Sequence, residues 1–128
     1  MDVERWLERY RRAWEEADAE PLAELFDEAA TYRSHIFRDQ HEGIDAISAY
    51  WRRATETQSD TEVRFGRPVV EGRRVAVEWW TTMVDDGDEI TLPGCLLLRF
   101  GDDGRCVALR EYWHVEQGRV EPPPGWGP

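Results

Sequence analysis

A β-hairpin over residues 92–115 is the feature that most constrains the fold of this chain. Two runs rich in apolar residues flank the segment GDDG, and Gly and Asp are typical of hairpin turns. If Phe100 faces Arg105 across the turn, Leu96 faces Leu109, and every second residue of a strand shares a face. One face then carries Leu96, Leu98, Val107, Leu109, Glu111 and Trp113, and the other carries Cys95, Leu97, Arg99, Cys106, Arg110, Tyr112 and His114. A carboxylate and an indole among aliphatic side chains are unusual for an ordinary core, so this face is the first candidate for a functional surface.

Length and charge limit the classes of protein that this chain can belong to. The 128 residues are enough for one domain with a real core, which we assign to residues 1–118. Residues 119–128 form a tail rich in Pro and Gly, predicted to be an extended strap in which Trp126 is the anchor. A net charge of −11 without a basic cluster argues against nucleic acid and anionic membranes as partners. With no apolar run that could span a bilayer and no signal-peptide profile, we expect a cytoplasmic protein.

The periodicity of apolar residues predicts three helices followed by a sheet. Helical spacing begins at Val3 and extends to Ala17, and a second helix starts at Pro21 and includes Phe26 and Ala29. The remaining predicted elements are a strand over 30–37, a polar turn over 39–43, a helix from Ile44 to about Thr57, strands over 61–70 and 74–84, and the hairpin, with a bulge at Pro93-Gly94. This order predicts an α+β architecture, in which the helices pack on the concave side of a curved antiparallel sheet. Such a sheet forms a cone whose open end can hold a ligand.

The same order of motifs resembles a known superfamily. The motifs are FDEAATYRSHIF, GIDAISAYW, GRRVAVEWW and LLLRFGDDGRCVALREYW, and together they cover nearly the whole chain. They are similar to those of the nuclear transport factor 2 (NTF2)-like superfamily, in particular its SnoaL-like and ketosteroid-isomerase-like branch. The resemblance implies a cone-shaped α+β barrel with three N-terminal helices on a strongly curved antiparallel sheet. It also implies an apolar pocket and a homodimer formed through the convex face of the sheet.

The resemblance does not extend to the catalytic residues of a ketosteroid isomerase. Such an enzyme uses an Asp as general base, and a Tyr and a protonated Asp donate hydrogen bonds to the oxyanion. In this sequence the Tyr corresponds to Tyr10, the base to Ser34 and the oxyanion Asp to Leu96. Neither Ser34 nor Leu96 can replace a carboxyl group, so steroid isomerisation by that mechanism is not expected.

The resemblance further implies which side chains point into the cone. From the strand over 74–84 these are Ala76, Glu78, Trp80 and Thr82, and from the hairpin Leu96, Leu98, Leu109, Glu111 and Trp113. The helical side would contribute Tyr10, Trp14, Ser34 and Tyr50. On the convex, dimer-facing side we expect Arg99, Arg110, Trp79 and Thr81.

Glu78 and Glu111 are the strongest candidates for chemistry. Two carboxylates in an apolar cavity raise each other's pKa toward a range useful for acid/base catalysis. The alternative is that each is held by a hydroxyl, an indole or an Arg and only braces the pocket. Ser34 and His35 point to opposite faces of a strand and do not form a nucleophilic dyad, although His35 reaches the pocket if the strand bends. Neither a metal-ligand spacing nor a phosphate-binding glycine loop occurs, so no metal and no cofactor are expected.

Two hypotheses of different classes follow. In the first, the protein binds a small, mostly apolar molecule, and any catalysis is cofactor-free isomerisation, cyclisation, dehydration or hydrolysis. Glu78 and Glu111 are then acid and base, Tyr10 or Ser34 donates a hydrogen bond, and aromatic residues shape the pocket. The predicted ligand-binding residues are Trp14, Tyr50, Trp80, Leu96, Leu98, Leu109 and Trp113. In the second hypothesis, large rings fill the cone, and the protein is a non-catalytic dimeric domain that binds another protein.

Overall fold

The computed structural model describes residues 1–128 and contains three helices and eight strands. The helices are α1 (Val3–Glu15), α2 (Leu22–Leu25) and α3 (Ile44–Thr55). The strands are β1 (Phe26–Arg33), β2 (His41–Glu42), β3 (Gln58–Phe65), β4 (Val69–Glu71), β5 (Arg74–Asp85), β6 (Asp88–Phe100), β7 (Cys106–Trp113) and β8 (Glu116–Gln117). None of the helices is both long and apolar enough to cross a membrane.

The first and third helices agree with the predicted periodicity, whereas the second is much shorter than predicted. The carboxylate of Asp2 caps α1 by accepting a hydrogen bond from the backbone N–H of Arg5 at 3.0 Å. Helix α2 is a single turn, and Phe26 and Ala29, which we predicted to be helical, lie in β1. Phe26 is fully buried and pairs with Cys106 of β7. The spacing of apolar residues after Pro21 is compatible with a helix, but the pairing with a distant strand determines the structure of this segment.

The strands form one mixed sheet in the order β2-β1-β7-β6-β5-β3, with β4 paired to β5 and β8 to β6. All pairs are antiparallel except β1 and β7, which run parallel. The α+β class with three helices on a curved sheet is therefore confirmed, but the sheet is mixed rather than wholly antiparallel. It is also open, because β2 and β3 lie at opposite ends of the strand order.

The predicted hairpin exists, but its register is shifted by two residues. Leu96 pairs with Glu111 and Leu98 with Leu109. Because side chains alternate with a period of two, this even shift keeps the predicted faces together over most of the hairpin. The exception is a bulge at Val107, which turns Cys106 into the core instead of outward.

The bulge predicted at Pro93-Gly94 does not form. Both residues continue the unbroken register between β5 and β6, where Gly94 pairs with Trp79. A Cβ atom at position 94 would overlap the indole of Trp79. The glycine is therefore needed to make room for a buried tryptophan ring.

The predicted orientation of β5 was wrong by one residue. Val77 pairs with Leu96 on the concave face, and Trp79, which is 2% exposed, lies on that same face. The residues predicted to point inward therefore lie on the convex face, and Glu78 among them is exposed. Trp79 and Thr81, predicted on the convex face, are buried instead. A slip of one residue reverses every side chain of a strand.

The core lies between the concave face of the sheet and the helices. Its largest members are aromatic: the ring of Trp6 stacks on Tyr10 and meets Phe26 and Phe100 edge-on. The indole of Trp6 also donates a hydrogen bond to the carbonyl of Leu25, at 2.8 Å. Helix α1 is thus fixed to the start of β1 by packing and by a buried hydrogen bond.

The C-terminal tail lies against the convex face. The indole of Trp80 donates to the carbonyl of Val120 at 2.9 Å, and its ring meets Trp126 edge-on at 5.9 Å. The hydroxyl of Thr91 donates to the carbonyl of Gly118 and accepts from the N–H of Val120. The tail therefore covers the part of this face near the turn between β5 and β6.

Candidate acid site

Glu111 is the only buried carboxylate of the chain and lies on the concave face of β7. Its side chain is 8% exposed, and burial raises the pKa of its carboxyl group to about 8. The physical cause is the loss of hydration, which disfavours the ionised form. Glu111 is thus mostly a neutral carboxylic acid at pH 7.

Three tyrosines from different elements surround this acid. The hydroxyl groups of Tyr10 on α1 and Tyr32 on β1 form a buried hydrogen bond of 2.8 Å. Burial and the nearby Glu111 raise the pKa of Tyr50, on α3, to about 12. For Tyr10 and Tyr32 the pKa values also rise well above the usual range, mainly because of burial. All three phenols are therefore neutral, and one proton of the Tyr10–Tyr32 pair is used in the hydrogen bond between them.

A small cavity of about 40 Å³, the internal cavity, adjoins these residues and is partly open to solvent. It is lined by Tyr10, Trp14, Tyr32, Tyr50, Trp51, Ala54, Thr55, Gln58 and Glu111. The indole of Trp14 donates a hydrogen bond to the side-chain carbonyl of Gln58 at 3.0 Å, between α1 and the start of β3. A space of this size accommodates water but not a larger organic molecule.

A larger aromatic cleft, of about 670 Å³, shares Glu111 with the internal cavity. Its lining includes His35, Phe37, Glu78, Trp80, Tyr112, Trp113 and Trp126. The indole of Trp113 donates to the carbonyl of Ser34 at 2.6 Å, and the ring of His35 meets Trp113 edge-on at 5.7 Å. These contacts hold the segment after β1 against the end of β7. A cleft of this volume has the usual size of a small-molecule site.

The structure separates the predicted site residues into groups that share only Glu111. Tyr10, Trp14 and Tyr50 line the internal cavity, whereas His35, Glu78, Trp80 and Trp113 line the aromatic cleft. Leu96, Leu98 and Leu109 are buried in the core and line neither space. Ser34 lines neither space, but its carbonyl accepts the hydrogen bond from the indole of Trp113.

Two residues that line the internal cavity, Tyr32 and Gln58, were not predicted from the sequence. Tyr32 lies two residues before Ser34, which was predicted to face the pocket, so alternation along the strand would have identified it. Gln58 begins β3 three residues after α3 ends, and no pattern in the sequence predicts its contact with Trp14.

The fold and the site define a class of protein: an α+β cone in which a neutral carboxylic acid lies among phenols. The family model for the SnoaL-like domain matches residues 7–109, and the chain belongs to that family. No protein with a curated description matches the sequence.

Solved structures of similar fold include several related to cyclases and epoxide hydrolases. The epoxide hydrolase/cyclase-like enzyme SalBIII, associated with pyran ring formation in the polyether salinomycin, is 18% identical with a TM-score of 0.79, and the match covers 90% of this chain and 95% of that one. A putative SnoaL-like polyketide cyclase from Shewanella denitrificans is 16% identical with a TM-score of 0.76, covering 87% and 89% of the two chains. An M. tuberculosis LEH-like epoxide hydrolase is 19% identical with a TM-score of 0.72, covering 86% and 80%. At these identities the similarity shows the fold alone.

Proposed function

We propose that the protein binds a small, mostly apolar molecule beside Glu111 and that this residue acts as a general acid without a cofactor. The observation that carries the proposal is the burial of one carboxyl group, with a pKa of about 8, among three tyrosine hydroxyl groups. A group that is protonated at pH 7 and titrates close to it is well suited to general acid catalysis.

The two spaces that meet at Glu111 suggest how such a reaction is arranged. The aromatic cleft has room for an organic ligand, and the internal cavity has room for water. The acid donates its proton to an oxygen atom of the ligand as the C–O bond at that oxygen breaks. A water molecule or a hydroxyl group of the ligand forms the new C–O bond and returns its proton to the Glu111 carboxylate, which the tyrosines stabilise in the meantime. Hydrolysis or cyclisation of an oxygen-containing ring fits this arrangement, and the descriptions of SalBIII and of the M. tuberculosis epoxide hydrolase support it. Glu78 lines the same aromatic cleft as an exposed carboxylate, but its side chain lies on the opposite face of the sheet from the buried carboxyl group of Glu111.

The test is a screen of hydrophobic epoxides and carbonyl compounds by thermal shift, followed by turnover assays on the compounds that bind. We expect Glu111→Gln to bind such a compound with similar affinity and to lose its turnover, because Gln keeps the shape of the acid but cannot donate the same proton. Glu28→Gln, which changes an exposed acid on β1, is the matched control. Turnover that persists in Glu111→Gln would contradict the proposal.

A specific observation also supports the second function, a non-catalytic domain that binds a protein. Aromatic side chains leave only about 40 Å³ in the interior of the cone. Under this hypothesis no compound in the screen shifts the melting temperature, and Glu111→Gln affects stability alone. The homodimer through the convex face stays a prediction, which sedimentation velocity of the purified chain tests directly.

A further inference from the structure

Four arginines on neighbouring strands lie at one end of the convex face. Arg33 of β1 pairs directly with Arg110 of β7, and Arg74 of β5 pairs directly with Arg99 of β6. Across β6 and β7 the two pairs are offset, because Arg99 lies opposite Ala108 and Arg110 opposite Leu97; the four arginines therefore form a staggered basic row over four strands. This row lies on the side of the sheet opposite to the carboxyl group of Glu111.

Like charges directly opposite one another on adjacent strands destabilise a sheet. The acidic residues of the chain do little to relieve this repulsion, although they outnumber the basic ones by 27 to 16. Within the row, Arg74 has an ion pair with Glu71 at 3.9 Å, between two exposed side chains. The guanidinium groups of Arg99 and Arg110 have neither an ion pair nor a hydrogen bond within the chain.

The arginines surround a groove with a volume of about 480 Å³. Ala76, Leu97 and Ala108 contribute an apolar floor. The wall also includes Thr31, Gln40 and one carboxylate, that of Glu71, which is paired with Arg74. This volume is typical of a site for a small organic molecule. Planar guanidinium groups donate paired hydrogen bonds to carboxylate and phosphate groups, so the chemistry of the rim selects an anion.

We propose that this arginine groove binds a small organic anion that carries two carboxylate or phosphate groups on an apolar body. The bound anion neutralises the two like-charged pairs, and the apolar floor receives its body. The groove is separate from the aromatic cleft, which shares none of its lining residues. The proposal therefore does not depend on any reaction at Glu111.

A second copy of the chain is the competing occupant. In a twofold dimer each patch meets the same patch of the partner. A dimer centred on the groove would therefore place arginines against arginines, and charge complementarity favours the anion.

The experiment measures binding of terephthalate, benzoate and pyrophosphate by isothermal titration calorimetry and amide chemical shifts, at low and high salt. Terephthalate has two carboxylates on an apolar body, benzoate has one carboxylate, and pyrophosphate has no apolar body. We expect terephthalate to bind more tightly than the other two, with perturbed amides on β5, β6 and β7, and to weaken as salt rises. The variant Arg99→Gln/Arg110→Gln is expected to lose affinity by about tenfold or more, the effect of removing charge-assisted hydrogen bonds.

The matched control is Arg5→Gln/Arg52→Gln, which removes the same charge from exposed positions on α1 and α3. It should bind terephthalate like the unmodified protein.

Without ligand and at low salt, Arg99→Gln/Arg110→Gln should melt at a higher temperature, because a repulsion has been removed. A lower melting temperature would mean that the arginines brace the sheet, and equal binding in both double variants would mean that the anion binds elsewhere. If Arg99→Gln/Arg110→Gln converts a dimer to a monomer without losing anion binding, the occupant of the arginine groove is a second copy of the chain. Each of these three results overturns the proposal.

Discussion

Replacing Glu111 with Gln should make the protein progressively more stable, relative to the unmodified protein, as the pH rises from mild acid to neutral. An unfolded chain ionises this Glu with its ordinary pKa of 4.5, whereas in the folded protein the pKa is about 8. At pH 7 the folded protein therefore holds a proton that the unfolded chain releases. Folding is penalised by the free energy needed to keep the group neutral.

The size of this penalty follows from the two pKa values. One pH unit corresponds to about 1.4 kcal/mol, so the penalty at pH 7 is about 3 kcal/mol, starting from a pKa of 4.5 in the unfolded chain. Because the pKa is higher in the folded protein, the penalty is absent below pH 4.5. The penalty grows as the pH rises and becomes constant above about pH 8. Gln is neutral in both states and has no such dependence. The free energy of unfolding of Glu111→Gln, minus that of the unmodified protein, should thus increase by about 3 kcal/mol between mild acid and pH 7.

Urea unfolding followed by tryptophan fluorescence at several pH values measures this difference. Any change in packing or hydrogen bonding that Gln introduces adds a constant offset, so the slope with pH carries the information. Glu78→Gln is the control, because its exposed carboxylate is hydrated whether the chain is folded or unfolded. A difference that stays constant from mild acid to pH 7 would refute the claim that Glu111 is buried as a neutral acid.

Three further predictions concern the surroundings of the site. Gly94→Ala should destabilise the protein by about 1–3 kcal/mol in chemical denaturation, because the added methyl overlaps the indole of Trp79. In a Trp79→Phe background the same substitution should destabilise the protein less. An equal loss of stability in both backgrounds would exclude this overlap as the cause. Tyr10→Phe should lower the free energy of unfolding by about 1 kcal/mol through loss of its hydrogen bond to Tyr32. If that bond is the cause, Tyr32→Phe adds little further loss to Tyr10→Phe, whereas additive losses would contradict it. Trp126→Ala should release the tail from the sheet, lower stability by about 0.5–1.5 kcal/mol and increase proteolysis of residues 118–128; unchanged proteolysis would show that the ring is not the anchor.

The face of the hairpin that carries Glu111 was predictable because it rests on alternation alone. The observed register differs by two residues, yet Glu111 still lies with Leu98 and Leu109. The bulge at Val107 was not predictable, because no residue of that segment disfavours regular pairing. Its effect is confined to Cys106, which reaches the core through it.

The orientation of β5 was wrong although its sequence contains the correct signal. Val75, Val77 and Trp79 alternate with Ala76 and Glu78, so the more apolar set is the one that the structure buries. The predicted orientation was instead implied by the resemblance to the superfamily, and it is one residue out of phase with the observed strand. For a strand covered on only one face, local polarity is the safer guide.

The pairing of β1 with β7 determines when the site forms during folding. Tyr32 of β1 pairs with Leu109 of β7, and these strands come from distant parts of the sequence, whereas β5 and β6 are joined by a short turn. Contacts between distant segments close large loops and form slowly, so we expect the β5–β6 hairpin early and the parallel pair late. Until that pair forms, Glu111 remains hydrated and ionised. Uptake of a proton by this residue is therefore a marker of the last folding step. Between pH 4.5 and about pH 8, a stopped-flow experiment with a pH indicator would detect that step as a change in absorbance.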